Sequence, residues 1–223
     1  MELDPESLEP SQRYKLLVGG VTPRPIAVVT TVSASGVPNV APYSFFNAAG
    51  PSPMTLMFVP VTKGDGGPKD TLANVRPPEE GGTGEFVVNL AVEAYARQMA
   101  ATSHALPPEE SELERVGLAT APSRRVKAPR LAASPMAFEC VTTQIVPIDP
   151  GRPGSGNVVF GRVVHVFVRD DVVNERFHVD PEKLRTLGRM GGRFYARTRE
   201  RFELPADLSA LEAPPPFPED VGG

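Results

Sequence analysis

Residues 26–32, IAVVTTV, narrow what this chain can become more than any other segment. β-Branched side chains crowd the turns of a helix and suit a pleated strand. In an extended chain Ile26, Val28, Thr30 and Val32 share one face, and Ala27, Val29 and Thr31 share the other. Ser33, Ala34, Ser35 and Gly36 then supply turn chemistry, so residues 37–41 are expected to return antiparallel. With 26 prolines and 20 glycines in 223 residues, the remainder favours short strands and many turns over long helices.

The same reading extends along the chain. Residues 1–10 form a leader that docks or frays, and residues 11–18 a helical turn with Leu16 and Leu17 packed inward. Residues 55–61 and 85–91 are strands. Between them, Gly- and Pro-rich loops at 63–68 and 76–84 bracket a short helix, with Asp70 or Thr71 as N-cap and Pro77 just past its end. Residues 93–102 form a second helix, and residues 104–135, poor in periodicity, an irregular cover or lid. Residues 137–146 and 158–168 read as long paired strands joined by the loop 147–157. Asp180 opens a last helix with Pro181 at its first position. The proline-rich stretch 213–218 cannot continue regular structure and is expected to be mobile. Strands outnumber helices, and a closed or partly closed antiparallel barrel with peripheral helices leaves the fewest exposed edges. The divisions are a leader (1–20), one domain (21–200) and a tail (201–223).

Composition removes several classes of function. A 40% hydrophobic fraction is enough for a core, while a net charge of −4 and a pI near 5.5 give no general attraction to nucleic acid. Arg124, Arg125, Lys127 and Arg130 form the densest basic run, without interleaved aromatics, and read as a solvated loop. Cys140 is the only cysteine, which excludes an intramolecular disulfide and fits a cytoplasmic protein. The acidic start lacks the regions of a signal peptide, and no apolar run reaches the roughly 20 residues that span a bilayer. The loop 151–156, GRPGSG, has the wrong spacing for a dinucleotide fingerprint, and a Walker loop is absent. His104, His165 and His178 lack zinc-ligand spacing. Cys140 falls inside a strand as a small buried hydrophobe. His165 shares a strand face with Val159, Val163 and Phe167, as a packed or interface histidine.

Six blocks in order carry a resemblance: Pro23-Arg24-Pro25-Ile26; Thr30-Thr31; residues 39–47, NVAPYSFFN; Lys69-Asp70-Thr71 with Asn74; residues 85–90, EFVVNL; and residues 188–195, GRMGGRFY. Together they resemble the flavin reductase-like, FMN-binding split-barrel family, which includes flavoredoxin-like proteins. The resemblance implies a mainly β, antiparallel split barrel that forms a homodimer with FMN near the subunit interface. It nominates Thr30, Thr31, Ser44, Phe45, Phe46 and Asn47 along the flavin, and Lys69, Thr71 and Asn74 around its phosphate. Arg189 and Tyr195 are second-tier candidates, reaching the site from a partner subunit. The chain departs from the pattern in a Gly-rich insertion at 64–68 and an expanded loop at 77–84.

The residue types suit such a ligand. A phosphate carries about two negative charges and attracts Arg, Lys, hydroxyls and free amides. Arg24, held between prolines, has a largely preset direction. Thr71 and Asn74 share a helix face beside Lys69, whereas the Asp70 carboxylate repels an anion unless it turns inward. The flavin ring performs the redox chemistry itself, so no catalytic side chain is required. Three readings follow: an NAD(P)H-dependent flavin oxidoreductase serving oxygen, free flavin or an oxygenase partner; a non-enzymatic FMN-binding electron carrier; and a flavin-dependent oxidase. FAD in place of FMN stays open.

Overall fold

The computed structural model describes residues 1–104, 106–107 and 110–211. A 3-10 turn at Pro5–Ser7 leads into α1 (Pro10–Gly20). Next come β1 (Ala27–Val32), β2 (Pro38–Tyr43), β3 (Phe46–Pro51), β4 (Met54–Phe58), α2 (Asp70–Asn74) and β5 (Glu85–Leu90). The second half contributes α3 (Ala96–Ala101), α4 (Glu112–Val116), β6 (Thr120–Ala121), β7 (Arg130–Leu131), β8 (Met136–Pro147) and β9 (Asn157–Val168). It ends in α5 (Pro181–Leu184), β10 (Leu187–Arg189) and β11 (Tyr195–Arg197). Among the described residues, one seven-stranded antiparallel sheet runs β2-β1-β5-β8-β9-β4-β3. Hairpins β6-β7 and β10-β11 flank it. No described helix is long and apolar enough to cross a membrane.

The turn between β1 and β2 forms as expected. The Ser33 hydroxyl accepts from the Val37 amide at 3.0 Å, and Gly36 takes φ +90°, a backbone conformation that residues with a side chain rarely adopt. β1 is hydrogen-bonded along both edges, to β2 and β5, and a hydrophobic cluster covers each of its faces. Ile26 and Val28 pack with Val40, Tyr95, Met99, Leu113 and Leu131. Ala27 and Val29 pack on the opposite side with Tyr43, Phe58, Phe86, Val88 and Cys140. Phe58 stands between Tyr43 and Phe86, with centroids 5.0 and 5.2 Å away. The long β8-β9 pair and the Asp180-Pro181 helix start also match the sequence reading, and Asp180 caps the Glu182 amide at 2.9 Å.

Other expectations are corrected. Leu16 and Leu17 are exposed and only Val18 of α1 is buried, because Tyr14 and Leu17, one turn apart, face an open groove instead of the core. The strand expected at 55–61 stops at Phe58: Pro60 has no amide to donate, and Val61 keeps only an isolated bridge to Gly156. The N-cap of α2 is Lys69, acting through its carbonyl on the Ala73 amide; Thr71 does not cap because its hydroxyl is bound to Asn39. The helix expected at 93–102 divides at Tyr95 into a 3-10 turn and α3. Tyr95 is buried and its hydroxyl donates to the Leu90 carbonyl.

Segment 104–135 is more regular than its sequence suggests, with α4, β6 and β7 in it. The basic run wraps its backbone round the buried Glu139 carboxylate, which accepts from the Arg124 and Arg125 amides at 2.9 and 2.6 Å. Arg130 lies 3.7 Å from the centroid of the Phe167 ring. A bulge opposite Glu139 and Cys140 leaves Val164 unpaired, which shifts the alternation. Val159 and Val163 therefore pack with Cys140, whereas Phe167 packs with Ala137 on the other face, so His165 does not share one face with all three. The expected mobile stretch 213–218 lies outside the described residues.

Close packing makes Gly161 indispensable. A Cβ there would overlap the Phe86 ring, and Phe58 packs against that ring. Gly161→Ala is expected to destabilise the fold by about 1–3 kcal/mol, read as a lower denaturant midpoint at unchanged slope.

Candidate functional site

The nominated residues fall into three groups. The first is a buried polar chain around Asn39. From β1, Thr31 donates to the Asn39 amide oxygen at 3.3 Å; from α2, Thr71 donates to the same oxygen at 2.8 Å. Asn74 donates to the Thr31 hydroxyl at 2.9 Å. The Asn39 amide nitrogen donates to the Glu112 carboxylate at 3.0 Å, and the Val40 amide adds a longer contact of 3.4 Å. All five side chains are buried, so Thr31, Thr71 and Asn74 face one another rather than solvent. α2 packs on β1 and β2, and α4 packs on β2. Burial lifts the Glu112 carboxyl above the usual carboxylate range, and the Asp70 charge pushes it the same way. Tyr43 lies beside Thr71 with its phenol raised, first by burial, and its hydroxyl has no hydrogen bond of good geometry among the described residues.

The second group centres on Arg24. Its guanidinium donates to the Val18 and Val21 carbonyls, both at 2.6 Å, to the Met190 carbonyl at 3.3 Å, and to the Ser44 hydroxyl at 3.3 Å. Burial is the main influence lowering its pKa. Arg24 and Arg189 exchange backbone hydrogen bonds of 3.0 and 2.8 Å, and the Arg189 guanidinium lies 4.5 Å from the Tyr195 ring centroid. Arg24 thus ties the end of α1, the β2-β3 corner and the β10-β11 hairpin together through three carbonyls and the Ser44 hydroxyl. Within one chain, Arg24, Ser44, Arg189 and Tyr195 come together.

The third group is open to solvent. Phe45 lines a groove of about 830 Å³ with Tyr14, Leu17, Val61, Ile148 and Pro153. Phe46, next along, instead faces a smaller cleft of about 240 Å³ with Pro25, Ile26 and Leu187. Asn47 is exposed on β3, its side-chain oxygen accepting from the Ala48 amide at 2.8 Å. Lys69 is exposed at the start of α2, yet partial desolvation lowers its ammonium pKa and the nearby Lys63 lowers it further. Lys63 follows Thr62, whose backbone pairs with Gly154 and Ser155 on the groove wall. Thr30 stands apart on the opposite face of β1, donating to the Pro129 carbonyl at 2.5 Å and accepting from Asn89 at 3.2 Å.

Sequence reasoning missed Asn39 as a junction, together with Glu112, Lys63 and Tyr14. Asn39 had a signal: it lies two and four residues before Ala41 and Tyr43, on their strand face. Glu112 had none, because its segment lacks periodicity and its partner lies in β2.

Comparison with known proteins accords with this arrangement. The "Flavin reductase like domain" matches residues 19–188. Nitrilotriacetate monooxygenase component B from Bacillus cereus superposes with a TM-score of 0.84 at 33% identity, covering 92% of this chain and 98% of that one. The 2-nitrobenzoate 2-nitroreductase NbaA of Pseudomonas fluorescens gives 0.80 at 31% identity, covering 100% of both chains. A split-barrel protein of Shewanella frigidimarina NCIMB 400 shares the fold, with a TM-score of 0.74 at 20% identity over 93% of this chain and 100% of that one. The chain belongs to the flavin reductase-like family, with a split-barrel fold and a flavin-related redox function.

Proposed function

We propose that the protein is an NAD(P)H-dependent flavin oxidoreductase that uses FMN. The observation that carries this reading is a juxtaposition: a largely apolar groove walled by Phe45, Tyr14, Leu17 and Ile148, its charged lining residues paired as Arg13–Glu6 and Arg152–Asp149, runs beside the strand extension that leads to Lys63 and its neighbour Lys69. The residues present fit the group. A planar, largely apolar ring suits the groove, and a dianionic phosphate suits two ammonium groups whose mutual repulsion an anion would relieve. The Asp70 charge acts on Tyr43 and Glu112, the buried side of α2.

When bound, the flavin supplies the two-electron sink that takes hydride from a reduced nicotinamide. The chain's own residues bind and shield. Lys63 and Lys69 neutralise phosphate charge. Phe45, Tyr14 and Leu17 would shield a ring bound in the groove from water, and Arg24 holds α1 in place beside that groove. No side chain is asked to exchange a proton with substrate. Similarity to a monooxygenase component supports delivery of reduced flavin to an oxygenase partner, and similarity to a nitroreductase supports direct reduction of a nitro group as an alternative outlet. A homodimer belongs to the same reading, supported by the uncovered Leu16, Val21 and Phe194.

Anaerobic addition of NADH or NADPH to the FMN-loaded protein is expected to bleach the visible flavin band, one equivalent of nucleotide reducing one of flavin. If neither nucleotide bleaches it while dithionite does, the protein is an electron carrier and the reductase reading fails. Replacing both Lys63 and Lys69 by Ala is expected to weaken FMN binding by about 1 kcal/mol per group, leaving riboflavin affinity unchanged. Titration by flavin fluorescence quenching reads both.

A further inference from the structure

We propose that Glu112 is a positioning residue for the phosphate end of the flavin site, acting through Asn39 on the segment that presents Lys69. The proposal rests on the flavin reading above and adds a residue that the resemblance did not nominate. Glu112 lies on α4, in the segment between α3 and β6, remote in sequence from every nominated residue. Its carboxylate oxygen takes the Asn39 amide hydrogen at 3.0 Å, which fixes the orientation of that amide. The amide oxygen is thereby aimed at the Thr71 and Thr31 hydroxyls, at 2.8 and 3.3 Å. Thr31 in turn holds Asn74 at the far end of α2 at 2.9 Å. The five-residue helix is thus bonded to this amide directly near its start, at Thr71, and through Thr31 at its last residue, Asn74.

A helix this short has little stability of its own, so its orientation, and with it the placement of Lys69 two residues before Thr71, depends on these contacts. Thr71 is buried and its proton is committed to Asn39; it contributes to a phosphate site by setting where the backbone runs. Without Glu112, the Asn39 amide is free to turn over and present its nitrogen to Thr71 and Thr31, where two donors expect an oxygen. Glutamine at position 112 retains an accepting oxygen, so it should preserve the orientation. Aspartate retains the charge but is one methylene too short to make the contact.

The test compares FMN with riboflavin, which differ by the phosphate alone. Dissociation constants for both are measured by fluorescence quenching in the full-length wild type and in Glu112→Ala, Glu112→Gln and Glu112→Asp, with a thermal melt of each. Wild type is expected to prefer FMN. In Glu112→Ala and Glu112→Asp that preference should fall by about fivefold, the whole share assigned above to the Lys69 contact, with riboflavin affinity unchanged; Glu112→Gln should keep it. Adding Lys69→Ala to Glu112→Ala should cost no further preference, since both act on one contact. Should Glu112→Ala not fold, the Asp and Gln variants make the same comparison. An unchanged FMN-to-riboflavin ratio in the Ala and Asp variants, or an equal loss of both ligands, overturns the positioning role while leaving the flavin site standing. A wild type that binds neither ligand removes the flavin reading and this proposal together.

Discussion

A single buried amide, that of Asn39, decides how the outer layer sits on the sheet. Its oxygen is claimed by hydroxyls from β1 and α2, and its nitrogen by a carboxylate from α4. Leaving a buried donor or acceptor unpaired costs about 1–3 kcal/mol, so each member of the group favours the presence of the others. Its effect reaches beyond stability because two of the elements it joins are too short to stand alone. α2 and α4 have five residues each, and their positions are borrowed from the strand they share.

Beside this fixed corner the molecule leaves space. β1, paired on both sides and buried on both faces, is rigid; α1, by contrast, turns Tyr14 and Leu17 outward over a groove that the core does not need. Arg24 holds the two regimes in register, spending its guanidinium on three carbonyls and one hydroxyl instead of a carboxylate. The groove is largely apolar, and the Lys63–Lys69 pair lies just beyond Thr62, which is bonded to its wall. It suits a ligand that is flat and apolar at one end and anionic at the other.

Much of the sheet was legible before the structure. Ile26 to Val32 announces a strand because β-branching and a following turn agree, and β8 with β9 announces itself by length. The errors have local causes. Leu16 and Leu17 read as core because apolar residues on a helix usually are, but both are exposed, Leu17 on the open groove. His165 was assigned a face by strict alternation, which the extra Val164 interrupts. The site was legible as a set of segments and not as a set of contacts. Thr71 and Lys69 are neighbours in sequence, yet one is buried against Asn39 and the other faces solvent. Nothing in residues 104–135 marked Glu112, since a buried carboxylate is identified by what surrounds it, and its partner is far away in the chain.

The central claim is that this barrel carries a flavin between the Phe45 groove and the Lys63–Lys69 edge. The visible absorption spectrum of purified protein, with the released cofactor identified by mass, tests it most directly. A yellow protein is expected, or an apoprotein that becomes yellow with FMN and releases FMN on denaturation. Protein that stays colourless and cannot be reconstituted with FMN or FAD would contradict it.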